Sequence, residues 1–222
     1  MTRLPQGRPK ADTPPRGGDA VGVSGVRKIG LFGGSFDAVH HAHLALGRQA
    51  LAELPLDELR WVPVGHAWQK ARPLTPATQR EAMLRLAIEG EPRFTLERCE
   101  LERPGPSYTL DTVRELQAGQ SDAQWFLIIG QDQYAGLHTW VGFEELLQRV
   151  TLAVAQRPGA EASTDARARC AAACTLQLPD MPVSATAIRR RVAAGLDISA
   201  LVPPAVAHYI HQHRLYQGTH RS

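Results

Sequence analysis

The stretch Gly33-Gly34-Ser35-Phe36-Asp37-Ala38-Val39-His40-His41-Ala42-His43-Leu44 decides how this chain begins to fold, because it joins two different apolar patterns. Before it, Lys28-Ile29-Gly30-Leu31-Phe32 is a short, mostly apolar run that ends in two glycines, which indicates a buried strand running into a tight turn. After it, apolar residues between Leu44 and Leu54 recur at helical spacing. We therefore predict a strand, a glycine turn and a helix.

The predicted turn is suited to binding phosphate. Gly33 and Gly34 have no Cβ, so the backbone can come close to a ligand, and the first amides of the following helix point at an anion placed there. His40 and His43 lie one helical turn apart and can face the same oxygens. They could also be ordinary turn histidines or two zinc ligands, but zinc would need further ligands, and the cysteines form no CxxC pair.

A second helix start lies at Ser184, which is a favourable N-cap residue. Thr186 and Arg189 follow within one turn, so two hydroxyls and a guanidinium meet at this helix start and suit the dense negative charge of a triphosphate. A solvated basic surface is the alternative, and it is the interpretation we prefer for Arg190 and Arg191.

The middle of the chain contains the run Trp125–Gly130, which is apolar throughout and typical of a central parallel strand. Open α/β sheets bind ligands at the carboxyl ends of such strands. Asp132 lies just after this run, in a position from which acidic residues often hold a ribose hydroxyl, and a helix N-cap is its alternative role.

Strand and helix patterns alternate along most of the chain, and 222 residues suffice for one α/β domain. We predict a single Rossmann-like domain over residues 26–218, with a doubly wound parallel sheet and helices on both faces. The last helix is expected to close one edge of the sheet. The further predicted strands are 59–64 and 150–155. The further helices are predicted to begin near 78, within 106–112, and near 143 and 205.

The N-terminal residues carry most of the basic excess. Residues 1 to 28 hold six basic and two acidic side chains, a net charge of +4, whereas the whole chain carries +3 and the remainder therefore −1. Residues 1–25 are rich in proline and glycine and are predicted to form a disordered tail without the apolar core of a secretory signal. The nearly neutral remainder argues against nucleic-acid binding.

The cysteine count indicates a reducing compartment. Cys99, Cys170 and Cys174 are an odd set, which is typical of free thiols in a cytoplasmic protein, and no apolar run approaches the length needed to span a membrane. Cys170 and Cys174 lie one helical turn apart and are expected to pack rather than react. We therefore predict a cytoplasmic protein with no membrane partner.

The ordered motifs resemble a known family. The first motif is similar to the GGSFDPVHxGH signature of nucleotidyltransferases with a Rossmann-like fold, with Ala38 in place of its proline and Ala42 in place of its glycine. The Cβ of Ala42 is expected to restrict the backbone at this turn. Ser184–Arg189 resembles S-x-T-x-x-R, the second ATP-binding signature of that superfamily. The SYT, IIGxD, TW and RPG elements, in that order between Lys28 and Tyr216, resemble bacterial nicotinate-nucleotide adenylyltransferases.

This resemblance implies the roles of individual residues. Catalysis, by positioning and charge neutralisation, is implied for His40, His43, Lys70 and Arg189, although Lys70 could equally be a solvated loop lysine. The residues implied to bind ATP are Gly33, Gly34, Ser35, Phe36, His40, His43, Gly130, Asp132, Ser184, Thr186 and Arg189.

A second group is implied to bind the pyridine nucleotide. Ser107, Tyr108 and Thr109 would supply donors near the pyridine carboxylate. Trp140 would stack on the nicotinate ring, with a place in the apolar core as its alternative role.

The resemblance also implies a reaction in which ATP and nicotinate mononucleotide give nicotinate adenine dinucleotide and pyrophosphate, a step of NAD biosynthesis. The 5′-phosphate has a second pKa of about 6, so it is charged at neutral pH and can attack the α-phosphate directly. The reaction then needs neither a general base nor a covalent enzyme intermediate. Mg²⁺ is expected to accompany ATP, and no metal site made by the protein is predicted.

Three other functions share part of the pattern. Another adenylyl- or cytidylyltransferase of the superfamily, such as pantetheine-phosphate adenylyltransferase, would have both phosphate motifs but lack the SYT and TW elements. A class I aminoacyl-tRNA synthetase also has a HIGH-like motif, but this chain is short for one and contains no KMSKS-like loop. A basic nucleic-acid-binding module would bind with a steep salt dependence.

Overall fold

A six-stranded, fully parallel sheet forms the centre of the molecule in a computed structural model, which describes residues 25–65, 73–156, 173–179 and 181–217. The strand order is β3-β2-β1-β4-β5-β6, and each neighbouring pair is parallel. The strands are β1 Lys28–Gly34, β2 Glu58–Pro63, β3 Phe94–Leu96, β4 Gln124–Gly130, β5 Thr151–Gln156 and β6 Ala173–Gln177.

The helices between the strands are mostly short. A 3₁₀ turn, Leu137–Thr139, also precedes the sixth helix. The helices are α1 His41–Glu53, α2 Ala77–Ile88, α3 Cys99–Glu102, α4 Thr109–Ala118, α5 Gln131–Ala135, α6 Phe143–Arg149, α7 Ala185–Ala193 and α8 Pro204–Gln212.

Strand β4 shows why both faces of the sheet need helices. Successive side chains of a strand point to opposite faces, and in β4 Phe126 and Ile128 join one core cluster whereas Leu127 and Ile129 join the other. Helices α1, α2, α7 and α8 contribute to the first cluster, and α3, α4 and α6 contribute to the second. The prediction of a Rossmann-like, doubly wound parallel sheet with helices on both faces is therefore confirmed.

The last helix lies elsewhere than expected. Helix α8 places Val206 and Ile210 in the first core cluster, and Tyr209 donates a 2.7 Å hydrogen bond to Gln79 on α2. It therefore covers a face of the sheet, and the edges of the described sheet are β3 and β6. The prediction that it closes an edge is wrong, because its apolar residues are buried in the core cluster on that face.

Cys174 also differs from the prediction. It lies in strand β6 rather than in a helix, and its side chain is exposed. Only Leu176 of this edge strand is buried, so the strand carries little apolar pattern that a sequence analysis could detect.

Several predicted features lie outside the described residues. These are Lys70, Cys170, the RPG element at 157–159 and the tail apart from Gly25. Within the described part of the chain, no helix has the length and apolarity required to cross a bilayer.

Candidate active site

The candidate site lies where the direction of strand connection reverses. Strands β1 and β4 are neighbours, but β1 leads towards β2 on one side and β4 leads towards β5 on the other, which leaves a crevice beyond their carboxyl ends. A pocket of about 220 Å³ lies there. Its lining includes Gly33, Gly34 and Ser35 after β1, Glu100 from α3, Ser107, Tyr108 and Thr109 at the start of α4, and Trp140 with Val141 before α6.

The two motif glycines end strand β1 rather than forming the turn. Neither has a positive φ, and the left-handed residue of the loop is Phe36, with φ 45°. Gly34 is needed for space instead, because a Cβ there would lie 3.0 Å from the ring of Phe36. Phe36 is only 1% exposed and its ring packs against Trp61, so its side chain belongs to the core.

His40 and His43 come together at the start of α1, as predicted. Their rings stack, with centroids 3.7 Å apart and planes 21° from parallel. The backbone N–H of His40 donates to Nδ1 of His43 at 3.2 Å. A neutral His43 ring therefore carries its proton on Nε2, which makes that nitrogen a hydrogen-bond donor.

His40 is an uncharged member of this pair. Its side chain is 6% exposed, and burial, with a smaller contribution from His41, lowers its pKa to about 4. At neutral pH the folded protein therefore holds His40 as a neutral imidazole that can form hydrogen bonds, because a buried imidazole with no adjacent acid loses its proton. Its implied role in charge neutralisation stays a prediction.

The helix start offers fewer amides to an anion than expected. The N–H of His41 donates to Leu201 O at 3.1 Å, and the N–H of His43 donates to His40 O at 3.0 Å. Of the first three amides of α1, only that of Ala42 has no backbone acceptor among the described residues. Ala42 also has ordinary helical backbone geometry, so the expected restriction by its Cβ does not arise.

The second motif meets the first through Arg189. Ser184 is the N-cap of α7 and accepts a 3.2 Å hydrogen bond from the N–H of Ala187, as predicted. The guanidinium of Arg189 donates to Thr186 Oγ1 at 3.1 Å and to the carbonyl oxygen of Asp37. One cation is thus held between two motifs that lie about 150 residues apart. Arg190 and Arg191 are exposed, which agrees with the solvated basic surface that we preferred for them.

Asp37 belongs to a buried polar network that sequence reasoning missed. Its carboxylate is fully buried and accepts hydrogen bonds from the Tyr216 hydroxyl at 2.6 Å and the Thr75 N–H at 3.3 Å. Burial raises the pKa of Tyr216, and the nearby Asp37 carboxylate raises it further. The carboxylate of the motif loop is therefore tied to the segment before α2 and to the end of the described chain.

Arg80 is the second member of this network. It is 1% exposed, and its guanidinium donates to three backbone carbonyls, those of Ser35 at 3.0 Å, Gly65 at 3.3 Å and Thr75 at 2.9 Å. Burial lowers the pKa of Arg80, and the charge of Asp37 opposes that shift. The sequence does contain a signal for this residue, because Arg80 shares the apolar face of α2 with Met83 and Leu84.

The SYT segment forms one wall of the pocket. Tyr108 is the N-cap of α4, and Ser107 and Thr109 flank it. The hydroxyl oxygen of Ser107 is buried and has no hydrogen-bond partner among the described residues. A buried polar atom of this kind costs about 1–3 kcal/mol unless a partner is supplied, and a ligand in the pocket could supply it.

Glu100 and Thr112 form a hydrogen-bonded pair that also lines the pocket. Glu100 is 9% exposed, lines the pocket and accepts a 2.8 Å hydrogen bond from the Thr112 hydroxyl. Thr112 in turn accepts from Arg103 at 3.0 Å. Burial raises the pKa of Glu100, which favours its neutral form. The sequence analysis did not single out Glu100.

Trp140 also lines the pocket, and Asp132 lies just after the end of strand β4. Trp140 is half-buried, lines the pocket and packs against the second core cluster, so features of both predicted roles are present. Asp132 is exposed and is the second residue of α5, whereas Gly130 is its N-cap. The alternative role of Asp132 as an N-cap is therefore wrong.

Comparisons with known proteins agree with this geometry. The model of the cytidylyltransferase-like family matches residues 31–191. A probable nicotinate-nucleotide adenylyltransferase of Methylibium petroleiphilum is 50% identical over 202 residues, which cover 88% of this chain and 95% of the relative. A probable nicotinate-nucleotide adenylyltransferase of Albidiferax ferrireducens is 47% identical over 199 residues, covering 86% of this chain and 99% of the relative.

A solved structure shows the same fold at lower identity. The Plasmodium falciparum nicotinic acid mononucleotide adenylyltransferase, in complex with NaAD, superposes with a TM-score of 0.72 at 19% identity and covers 86% of this chain and 97% of its own. The sequence relatives cover 88% and 86% of this chain, and the residues that the family model matches include the segments that form the pocket. The chain belongs to the nicotinate-nucleotide adenylyltransferase family of cytidylyltransferase-like proteins.

Proposed function

We propose that this protein joins ATP and nicotinate mononucleotide to form nicotinate adenine dinucleotide and pyrophosphate. The observation that carries the proposal is the pocket between the ends of β1 and β4, which has Ser107 and Trp140 on its walls and the phosphate motif at its edge. The names of the sequence relatives support it, as do Plasmodium falciparum structures in complex with NaAD and with APC.

The proposed reaction is a direct displacement at the α-phosphate of ATP. An oxygen of the substrate 5′-phosphate forms the new P–O bond while the bond to the β-phosphate breaks, and pyrophosphate leaves with the electron pair. The attacking phosphate is largely ionised at neutral pH because its second pKa is about 6. Catalysis therefore consists of aligning two anions and stabilising the charge that builds up between them.

We assign that stabilisation to two groups of the described chain. Arg189 supplies a positive charge whose direction is set by Thr186 and by the carbonyl of Asp37. His43 supplies the Nε2 proton of a ring whose other nitrogen is occupied by a backbone amide. His40, uncharged and stacked on His43, contributes a hydrogen bond and fixes the orientation of its neighbour's ring.

Magnesium enters this proposal as part of the substrate. The described residues contain no group of three or more His, Cys, Asp or Glu side chains that could hold a metal ion. Mg²⁺ commonly binds through substrate phosphates with few protein ligands. We therefore assign it to the phosphates of ATP, where it would neutralise charge on the leaving pyrophosphate.

The pocket favours the acid form of the pyridine nucleotide. The N-terminal end of α4 carries the partial positive charge of the helix dipole, and the Ser107 hydroxyl lies beside it. A carboxylate can accept hydrogen bonds from both groups. The backbone N–H groups at the helix end can only donate, so an amide NH₂ turned towards them would leave donors facing each other, which is a basis for discrimination.

The test is pyrophosphate release from ATP and Mg²⁺ with one of three acceptors: nicotinate mononucleotide, nicotinamide mononucleotide or 4′-phosphopantetheine. We expect kcat/KM for the acid to exceed that for the amide by at least about tenfold. Equal values for acid and amide, or a preference for phosphopantetheine, would reject the substrate assignment. Ser107→Ala should narrow the gap between acid and amide, and Ser121→Ala, at an exposed serine away from the pocket, should not.

A further inference from the structure

The residues after α7 bond to the phosphate motif at two points. We use the name C-terminal segment for residues 196–217. Its Leu201 carbonyl accepts from the N–H of His41 at 3.1 Å, and its Tyr216 hydroxyl donates to Asp37 at 2.6 Å. These contacts lie on either side of His40, so the segment holds both ends of the short loop that brings the histidine pair into the site.

At the contact between Tyr216 and Asp37, a residue on each side has a positive φ angle. Tyr216 has φ 61°, and Phe36, next to Asp37, has φ 45°. Left-handed conformations of non-glycine residues are unfavourable and persist where surrounding contacts determine them. For Tyr216 those contacts are the hydrogen bond to Asp37 and the packing of its ring in the first core cluster, with Met83 Sδ 3.9 Å from its hydroxyl.

Asp37 connects this contact to the reacting groups. Its carboxylate accepts from Tyr216, and its carbonyl oxygen accepts from Arg189. Three residues further along the chain, the N–H of His40 holds Nδ1 of His43. A shift of Asp37 would therefore move the acceptor of the assigned cation and the amide that sets the tautomer of the assigned donor.

We propose that Tyr216 is a positioning residue for the transfer reaction, acting through Asp37 on the alignment of Arg189 and His43. The expected loss of turnover rests on the proposed function. The expected change in the alignment of Arg189 and His43 does not. The hydroxyl of Tyr216 does not itself touch substrate in this scheme. Its removal should disturb catalysis more than it disturbs the fold, because the tyrosine ring and its apolar contacts remain.

The chain offers a matched control. Tyr209 also lies in the C-terminal segment and also donates one short hydrogen bond, of 2.7 Å, but its partner is Gln79 on α2, away from the motif loop. Tyr216→Phe and Tyr209→Phe thus remove the same atom from two tyrosines of the same segment. A purely structural role for both hydroxyls predicts similar losses of stability and no change in kcat for either variant.

The first measurement is the imidazole ¹⁵N NMR spectrum of the full-length protein, with the signals of His43 identified by their loss in His43→Ala. We expect the Nε2–H pattern for His43 in the wild type and in Tyr209→Phe, and a raised Nδ1–H population in Tyr216→Phe. This spectrum does not depend on which substrate the enzyme uses. An unchanged His43 signal in Tyr216→Phe would overturn the proposal even if the protein proved to have another activity.

The second measurement is steady-state pyrophosphate release. We expect kcat of Tyr216→Phe to fall about tenfold or more, as small misplacements of reacting groups do, whereas Tyr209→Phe stays within about twofold of wild type. In an Asp37→Asn background, the further effect of Tyr216→Phe should shrink to less than about twofold, because the two residues act as one unit. Wild-type kcat in Tyr216→Phe, or an equal loss in Tyr209→Phe, contradicts the inference. A wild-type protein inactive with nicotinate mononucleotide rejects the proposed function alone.

Discussion

At the scale of single residues, the proposed role of His43 has the clearest geometric support. Its Nδ1 accepts from a backbone amide, and its ring is held between the rings of His40 and Phe36. A donor held in place before the reaction begins costs no reorganisation when charge develops on the phosphate. The neighbouring His41 has no such assignment, although it lies in the same helical turn.

His43→Ala should therefore lower kcat by about a hundredfold or more, the effect of losing one preorganised donor. Its circular dichroism spectrum should match that of the wild type, since the side chain is only half-buried. His41→Ala is the matched control and should keep kcat within about threefold of wild type. Near-normal turnover of a folded His43→Ala protein would remove this residue from the reacting centre.

His40 makes stability depend on pH. Burial lowers its pKa in the folded protein to about 4 from 6.5, so between these values the unfolded chain binds a proton that the folded chain does not. The free energy of unfolding should fall as pH drops through this window, with a contribution from His40 of up to about 3 kcal/mol. Urea titrations between pH 7 and pH 4 should show a shallower fall for His40→Gln. An exposed histidine changed in the same way, His211→Gln, should keep the wild-type slope.

Trp140 combines a pocket contact with core packing. If its indole stacks on the pyridine ring, Trp140→Ala should raise KM for nicotinate mononucleotide by about 5- to 150-fold, equivalent to about 1–3 kcal/mol, while KM for ATP changes little. Trp140→Phe should recover much of the loss. Two KM values and a thermal melt are required, because an unstable protein with both KM values raised would assign Trp140 to the core alone.

At the scale of elements, the sequence predicts those with long and clear periodic patterns. Helix α1 and strand β4 are predicted within a few residues, because their apolar residues must face one or two buried surfaces. Helix α3 and strand β3, with four and three residues, are too short to show a period. Strand β6 lies at a sheet edge and buries only one side chain, which removes most of its signal.

The candidate site likewise contains residues that the sequence predicts and residues that it does not. Residues within one motif, such as His40 with His43 or Thr186 with Arg189, are predictable because helical spacing sets their proximity. Tyr216 was missed because its partner Asp37 lies 179 residues away, and a single sequence carries no record of such a contact. Arg80 was missed although it shares the apolar face of α2, since that pattern does not show which carbonyl groups its guanidinium meets. Composition does not indicate which buried polar residue will meet which backbone carbonyl.

Glu100 of α3, which is hydrogen-bonded to Thr112 of α4, gives a prediction about the contact between these two helices. Burial raises its pKa in the folded protein, so its stabilising contribution is fully present below the usual value of 4.5 and is lost as pH rises through the raised pKa. Glu100→Gln keeps an acceptor for Thr112 and carries no charge. It should unfold at higher urea concentration than wild type at pH 7, and the difference should vanish near pH 4. Glu144→Gln, at an exposed position, should show no such pH-dependent gain.

At the scale of the whole molecule, the alternation of strands and helices was sufficient to predict the doubly wound sheet. Parallel strands need crossover connections, and helices on both faces are the usual means of burying such a sheet. The crevice between β1 and β4 then follows from the point at which the connections reverse. The position of α8 did not follow, because an apolar stripe shows that a helix is buried but not against which surface.

Deleting residues 1–24 should leave the melting temperature and kcat almost unchanged. These residues lie outside the described part of the chain, and the expectation comes from their composition, which is rich in proline and glycine and poor in large apolar side chains. Deleting residues 1–30 instead would remove the first three residues of β1 and should prevent folding. A clear loss of stability or turnover in the shorter deletion would contradict the prediction and show that the tail contacts the domain.

The contact between Asp37 and Tyr216 can form only after all the strands of the described sheet have been synthesised. A growing chain that has reached residue 177 already contains every strand of the described sheet, from β1 to β6. It lacks Arg189, which is added 12 residues later, and Tyr216, which is added 39 residues later. Since domains fold in part as they are made, the sheet can form around a phosphate motif that is still misaligned. The enzyme would become active only when its last described residues dock against one of its first turns.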